Sequence, residues 1–225
     1  NVGTSPETCR AAIRQTRRYP AMYTALGIHP TDGQLLDDPD AALSEVENMI
    51  LDPENKCVAL GEIGLDYHYP DTDKEKQAYL FDRQMELAAR LDLPVVIHDR
   101  EAHGDVMETI LRHKKTRGVL HSFSGSPEMA EELVRLGYFI SFSGTLTFQN
   151  ARRTVESAAK VPPEKILIET DCPYLAPHPL RGTLNHSGNL AYTAARLAGI
   201  LGTSPETAAR LTEENARRFF SLEKI

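Results

Sequence analysis

With 225 residues, 41% of them hydrophobic and 25% charged, the sequence has the composition of an ordinary globular protein with enough chain for a full core. Its net charge of −7 argues against a protein that coats nucleic acid through general electrostatics, but allows an enzyme that holds phosphates locally. Three scattered cysteines, no apolar run of membrane-spanning length and no signal-peptide pattern predict a cytoplasmic protein without a membrane partner.

Strand-like and helix-like segments alternate along the whole chain. The near-continuous apolar runs are typical of parallel strands that are covered on both faces, and the segments between them have helical spacing. In chain order, the pattern predicts a helix over 6–18, a strand over 22–28, a helix over 39–51, a strand over 57–63, a helix over 73–91, a strand over 93–98, a helix over 104–115, a strand over 118–123, a helix over 127–136, a strand over 138–143, a helix over 150–160, a strand over 165–170, and helices over 189–201 and 205–218.

No linker or low-complexity stretch divides the sequence, so we predict a single domain over residues 1–225. Repeated strand–helix units fit a (β/α)8 barrel or a doubly wound sheet. Polar residues at the ends of many successive strands favour the barrel, because a flat sheet gathers its ligands mostly at one switch point. Since Asn1-Val2-Gly3 looks like the stub of another strand, we expect an α/β TIM barrel whose first β-α unit is missing from this sequence.

Four residues of types that bind divalent metals stand at the ends of short apolar runs: Glu62, His98, His121 and Asp171. A carboxylate or imidazole at the end of a parallel strand has left the core and faces the mouth of the barrel or sheet. One such residue could arise by chance, whereas four together predict a metal-dependent hydrolase.

Several ordered motifs give this sequence a specific resemblance to one family. They are Gly27-Ile-His-Pro30, Gly61-Glu-Ile-Gly-Leu-Asp-Tyr67, Val96-Ile-His-Asp-Arg-Glu101, His121-Ser-Phe-Ser-Gly125 and Glu169-Thr-Asp-Cys-Pro-Tyr-Leu-Ala-Pro177, continued by Arg181-Gly182 and Asn185. From residue 1 to about residue 220, the sequence resembles the TatD family of metal-dependent deoxyribonucleases.

The resemblance implies a TIM barrel that hydrolyses DNA phosphodiester bonds with two divalent metal ions, Mg²⁺, Mn²⁺ or Zn²⁺. It implies that Glu62 bridges the metals, that His98 and His121 bind one of them, and that Asp171 binds the other. Two cations at one site can neutralise charge on a phosphoryl oxygen, and Asp171 could take the proton of the attacking water. We therefore expect Glu62 and Asp171 to be catalytic, single-stranded DNA or 3′ ends to be the substrate, and the protein to be a monomer.

The sequence departs from the family at two places. The family opens with a His-x-His-x-Asp motif whose histidines bind the first metal, and these 225 residues contain no such motif. One metal site therefore has only Glu62 and Asp171 here, and we expect an N-terminal segment to have been omitted or that site to be absent. The second departure is His186, which stands where the family usually has an acidic residue.

Other residues near the motifs are candidates for substrate contacts. The predicted set is His29, Asp66, Tyr67, Arg100 and Arg181, although Arg100 could instead pair with Glu101. Four aromatic residues could stack on bases, but we expect core packing for at least two of them: Tyr69, Phe123, Phe142 and Phe148.

Two other functions stay open on the sequence. One is an amidohydrolase-type enzyme acting on an amide, lactone or phosphotriester, although no lysine stands at a strand end to bridge metals as in many of those enzymes. The other is a catalytically inactive barrel that kept its fold.

Overall fold

A computed structural model describes residues 1–222, which fall into two compact units. The first unit spans Asn1–Gly118 and contains four strands and five helices. Its elements are β1 (Val2–Gly3), α1 (Pro6–Arg18), β2 (Thr24–Leu26), α2 (Pro30–Gly33), α3 (Pro39–Leu51), β3 (Cys57–Asp66), α4 (Lys74–Leu91), β4 (Val95–Arg100) and α5 (His103–Arg112), with a 3-10 turn at Pro53–Asn55. The strands pair in chain order and all pairs are parallel.

The second unit begins at Val119, one residue after its first strand starts. Its elements are β5 (Gly118–Leu120), α6 (Pro127–Arg135), β6 (Phe139–Phe142), α7 (Arg152–Lys160), β7 (Ile166–Ile168), α8 (Leu190–Leu201) and α9 (Pro205–Phe220), with 3-10 turns at Gly144–Thr147, Pro163–Lys165 and Ser187–Asn189. Strand β6 pairs in parallel with β5 and with β7.

Helix starts follow the capping chemistry that the sequence carries. Ser5, Ser126 and Ser204 are N-caps whose side chains accept an amide hydrogen from the third residue of the helix, and a proline follows each of them. Such caps satisfy amides that have no partner within the helix.

Each unit has its own apolar core beneath its helices. In the first unit, strand residues Leu60, Ile63 and Ile97 are fully buried together with Met85 of α4. In the second unit, the buried residues include Ile140 and Phe142 of β6 and Leu197 of α8. Strands with apolar residues on both faces are what covered parallel sheets require. The predicted α/β fold with parallel strands is therefore confirmed.

The predicted elements are found in the predicted order, but several strand ends differ. Strand β3 runs three residues beyond its predicted end at 63, while β5 and β7 stop at 120 and 168 instead of 123 and 170. The one-turn helix α2 was not predicted, because four residues are too few for a periodic pattern. The single domain and the closed (β/α)8 barrel stay predictions. Over residues 1–222, no helix combines the length and apolar character that crossing a membrane would need.

Candidate metal centre

Glu62 lies at a bulge in the interior of β3 and not at the end of the strand, where the sequence predicted it. Gly61 lies opposite Val96 of β4 and Ile63 lies opposite Ile97, so Glu62 is an extra residue in the ladder. Bulges of this kind redirect one side chain out of the regular alternation and are frequent beside active sites. The Glu62 side chain is 14% exposed, and its Oε1 lies 2.8 Å from Nδ1 of His98.

His98 of β4 lies between two carboxylates of β3. Its Nδ1 lies 2.8 Å from Oε1 of Glu62, and its Nε2 lies 3.1 Å from Oδ2 of Asp66. The residue opposite His98 in the ladder is Gly64, which has φ +137° and on which a Cβ would lie 2.0 Å from the His98 carbonyl oxygen. Only glycine adopts this conformation readily, so the close approach that puts His98 between the two carboxylates depends on Gly64.

Asp66 is buried and ionised. Burial alone would raise the pKa of Asp66, but hydrogen bonds from His98 and from the His68 amide outweigh this effect and hold the pKa below its usual range. The amide of Asp66 donates to Oε1 of Gln77 at 2.9 Å, and its Oδ1 accepts from the His68 amide at 3.0 Å. Asp66 is thus held in place as the acceptor for His98.

His29 joins this group from the start of α2. It is the N-cap of that helix, and its Nδ1 accepts from the Thr31 amide at 3.2 Å while lying 2.8 Å from Oγ1 of the same residue. Its Nε2 lies 3.6 Å from Oε1 of Glu62, and its ring meets the His98 ring edge to face with centroids 4.4 Å apart.

A buried glutamine of α4 holds the backbone just before His29. The Gln84 amide accepts from the Ile28 N–H at 2.8 Å and donates to the Ile28 carbonyl at 3.0 Å, and Gln84 is 1% exposed. Gln77, seven residues earlier on the same helix, makes the contact with Asp66. These two glutamines on the apolar stripe of one helix were not predicted. Polar residues at buried helical positions, where leucine would be ordinary, are the pattern that could have identified them.

The three residues His29, Glu62 and His98 could hold a metal ion, since one ligand atom from each lies within 4.8 Å of the others. Two ligand atoms each about 2.0–2.2 Å from one cation lie roughly 3 Å apart, which fits the pair formed by Glu62 and His98. Metal-binding histidines usually donate their second N–H to a carboxylate, and Asp66 is in that position. Nitrogen and oxygen donors suit Zn²⁺ and Mn²⁺. The residues of the first unit therefore fit a divalent cation.

The second unit repeats the pairing of a histidine with a carboxylate. His121 directly follows β5, and its Nδ1 lies 3.3 Å from Oε2 of Glu169, which also accepts the Ser122 amide through Oε1. The side chain of His121 is 9% exposed. Glu169 was not singled out from the sequence, although it stands two residues before Asp171 at the end of a strand.

Asp171 lies in a turn beyond β7 with φ +54°. The buried side chain of Asn185 donates to the Thr170 carbonyl at 2.6 Å and to the Tyr174 carbonyl at 2.7 Å. These bonds fix the backbone on both sides of Asp171. Whether Asp171 is a ligand stays a prediction, as does the same role for His121.

The predicted substrate contacts have varied surroundings. Tyr67 donates its hydroxyl to Asp105 at 2.7 Å, and burial together with this bond raises the pKa of Tyr67 far above its usual value. The Arg100 guanidinium lies over the Tyr69 ring, 5.7 Å from its centroid. In the second unit, Arg181 lies 4.3 Å from the centroid of the Phe148 ring.

The four aromatic candidates separate clearly by burial. Phe123 is 3% exposed and Phe142 is fully buried, which confirms core packing for two of them. Tyr69, in contrast, is 47% exposed. Phe148 is intermediate.

Comparison with known proteins places the chain in one family. The family model described as TatD-related DNase matches residues 1–221. The chain belongs to the TatD family of metal-dependent hydrolases. It is 37% identical to YabD of Bacillus subtilis (strain 168), an uncharacterized metal-dependent hydrolase, over 98% of this chain and 86% of YabD. It is 36% identical to the uncharacterized metal-dependent hydrolase TatD of Mycobacterium tuberculosis (strain H37Rv), over 96% of this chain and 83% of that protein.

Solved structures agree with the assignment to the TatD family. The crystal structure of YjjV, a TatD homologue from Escherichia coli K12, matches with a TM-score of 0.90 and 34% identity over 98% of this chain and 85% of YjjV. A TatD family hydrolase from Entamoeba histolytica matches with a TM-score of 0.85 over 97% of this chain and 82% of that protein. At 22% identity, the second likeness supports the fold alone.

Proposed function

We propose that this TatD family protein is a metal-dependent deoxyribonuclease that hydrolyses phosphodiester bonds of single-stranded DNA or of 3′ ends. The observation that carries the proposal is the position of His98 between Glu62, at 2.8 Å, and Asp66, at 3.1 Å. A metal-binding histidine usually donates its other N–H to a carboxylate, and Asp66 is placed to be that carboxylate while Glu62 lies at the nitrogen that would bind the metal. The name of the matching family model supports DNA as the substrate.

In this proposal the ligands are those that the resemblance implies: one cation would be held by Glu62, His98 and His121, and the other by Glu62 and Asp171. A bound divalent cation would supply Lewis acidity toward a phosphoryl oxygen and lower the pKa of water. Glu62 and His98 belong to the same compact group in the first unit, and Glu169 orients His121 in the second. A closed (β/α)8 barrel, in which all strand ends reach one mouth, belongs to the same proposal, and so does a second cation bridged by Glu62.

His29 serves as a substrate contact and not as a ligand. A backbone amide can only donate, so Nδ1 of His29 accepts from Thr31 and a neutral His29 carries its proton on Nε2. That N–H points toward the Glu62 carboxylate, 3.6 Å away, and could donate to a phosphoryl oxygen bound there. Binding a metal through Nε2 would require the proton to move to Nδ1 and the Thr31 amide bond to be lost.

The experiment is cleavage of a short single-stranded DNA by protein stripped of metal by chelation, with and without added Mn²⁺. We expect no cleavage after stripping and recovery with Mn²⁺. We expect Glu62→Gln to lower the single-turnover rate more than about 100-fold, since loss of outer-shell partners alone costs 10- to 100-fold. Glu86→Gln is the matched control, because Glu86 is an exposed partner of Arg83 on α4. Undiminished cleavage after exhaustive chelation, or by Glu62→Gln with an unchanged thermal melt, would refute the proposal.

A further inference from the structure

The loop after β3 carries an exposed tyrosine, Tyr69, and the backbone of this loop is hydrogen-bonded to a residue of the candidate metal centre. The His68 amide donates to Oδ1 of Asp66 at 3.0 Å, and Asp66 is the carboxylate that contacts His98. The Thr72 hydroxyl donates to the Tyr69 carbonyl at 2.7 Å. The backbone of Tyr69 is therefore tied to the group that orients His98, through bonds that do not involve its own side chain.

The Tyr69 ring contacts two side chains and still has a large exposed area. The His68 ring meets it edge to face, with centroids 5.3 Å apart and an interplanar angle of 77°. Arg100 places its guanidinium 5.7 Å from the ring centroid, and the tyrosine keeps 47% of its surface exposed. An aromatic ring already fixed in position loses little conformational freedom when a ligand stacks on it.

Arg100 lies on the same side of β4 as His98. Successive side chains of a strand alternate between faces, so residues two apart share a face and lie roughly 6–7 Å apart along it. Glu101 pairs with Nδ1 of His68 at 2.6 Å, and within residues 1–222 Arg100 makes no ion pair of its own. The alternative pairing of Arg100 with Glu101 is not observed. The guanidinium attracts the Asp66 carboxylate without forming an ion pair with it, and it can still bind an anion.

We propose that Tyr69 and Arg100 form a nucleotide subsite beside the candidate metal centre, in which the Tyr69 ring stacks on a nucleobase and the Arg100 guanidinium pairs with the neighbouring phosphate. The proposal rests on the proposed function, and it adds the position at which one nucleotide of the DNA strand binds. An aromatic face together with an unpaired guanidinium matches a base joined to a phosphate, because every base has a π-face and planar guanidinium recognises phosphate oxygens. The subsite tolerates any base, since stacking requires no base-specific hydrogen bond.

The test is equilibrium binding of a fluorescent single-stranded oligonucleotide to the full chain in EDTA, where metal-dependent cleavage cannot interfere. Two ligands of equal length are compared: one with normal bases, and one in which abasic spacers replace the bases but keep every phosphate. Tyr69→Ala removes the ring, and Tyr69→Phe keeps it. Tyr19→Ala is the matched control, because Tyr19 is 49% exposed and Arg18 lies 5.5 Å from its ring centroid, in a segment that precedes β2.

We expect Tyr69→Ala to weaken binding of the normal oligonucleotide about 5- to 150-fold, the effect of losing one base stack, and to leave binding of the abasic ligand unchanged. We expect Tyr69→Phe to bind within about twofold of wild type, because the phenylalanine ring keeps the stacking contact. Tyr19→Ala should bind like wild type. Unchanged binding by Tyr69→Ala, or an equal loss with both ligands, would overturn the subsite.

Failure of the subsite and failure of the proposed function give different results. If the wild-type protein cleaves DNA with Mn²⁺ while Tyr69→Ala binds normally, the subsite alone is wrong. If the wild-type protein neither binds nor cleaves single-stranded DNA, both proposals are wrong.

Discussion

Asp66 and His98 form a pair in which Oδ2 of the aspartate lies 3.1 Å from Nε2 of the imidazole, on the side of the ring opposite to Glu62. Asp66 keeps its charge because hydrogen bonds offset its burial. With a cation bound beside Glu62, Asp66 would keep the proton of His98 on Nε2 and leave the lone pair of Nδ1 to the metal. The ligand geometry depends on a residue that does not itself need to contact the metal.

The first prediction concerns this pair. Asp66→Ala leaves Nε2 of His98 without its acceptor, so the ring loses its orientation and Nδ1 its basicity. We expect Mn²⁺ affinity, measured by isothermal titration, to fall about 10- to 100-fold. Asp37→Asn, a change of an exposed carboxylate, is the control and should leave the affinity unchanged. Equal affinities for Asp66→Ala and wild type would mean that Asp66 has no part in metal binding.

The second prediction concerns Gly64. A Cβ at this position meets the His98 carbonyl oxygen at 2.0 Å on a backbone with φ +137°, so Gly64→Ala has to push β4 away from β3. We expect the free energy of unfolding to fall by about 2 kcal/mol or more, with loss of Mn²⁺ binding. The control is Gly104→Ala in α5, where a Cβ meets nothing within 4 Å and alanine favours the helix. Urea unfolding of the two variants decides the matter, and similar midpoints would contradict the prediction.

The third prediction concerns Gln84. Gln84→Met keeps a side chain of similar size but leaves the Ile28 N–H and C=O buried without partners. Each unpaired group costs about 1–3 kcal/mol, so we expect the free energy of unfolding to fall by about 2 kcal/mol or more. Gln149→Met, at an exposed position, should change it by less than about 0.5 kcal/mol. Thermal or urea melts provide the measurement. A normal melt for Gln84→Met would show that the two hydrogen bonds between Gln84 and the Ile28 backbone contribute little to stability.

The fourth prediction separates the two roles open to His29. Asparagine is a good N-cap and can still accept the Thr31 amide, so His29→Asn keeps the start of α2 while removing the Nε2 donor. We expect kcat/KM for single-stranded DNA to fall about 10- to 150-fold, the cost of one hydrogen bond to a charged group. We expect Mn²⁺ affinity to stay within about threefold of wild type. This change is smaller than the roughly 10- to 100-fold loss of affinity that follows removal of a residue bonded to a metal ligand. A collapse of Mn²⁺ affinity would instead identify His29 as a ligand.

Much of the fold could be predicted from the sequence because its determinants are local. The serine–proline pairs at the starts of α1, α6 and α9 fix the first residue of each of those helices, and the apolar runs locate every strand. Strand ends were less predictable because pairing with a neighbour sets them. Strand β3 continues to Asp66 since β4 pairs with it as far as Arg100, and nothing within the segment after Ile63 indicates that partner.

The candidate site was only partly predictable for the same reason. Glu62 and His98 follow from residue type and position, but the bulge at Glu62 depends on register between two strands. The hydrogen bonds between Gln84 and the Ile28 backbone join residues 56 apart in the sequence, and no local pattern predicts such a contact. His29 was predicted as a substrate contact, and the spatial group that it forms with Glu62 and His98 became visible only when three elements were placed together.

The most direct test of the proposed metal centre is Mn²⁺ binding by the metal-stripped protein. Isothermal titration measures it for wild type, Glu62→Gln and Glu86→Gln. Glu62 supplies the carboxylate oxygen in its group with His29 and His98. The neutral glutamine amide of the variant should therefore bind the cation far less well. We expect saturable binding by wild type and by Glu86→Gln, and an affinity at least about tenfold lower for Glu62→Gln with an unchanged thermal melt. Wild-type affinity in Glu62→Gln would contradict the role of Glu62 as a metal ligand.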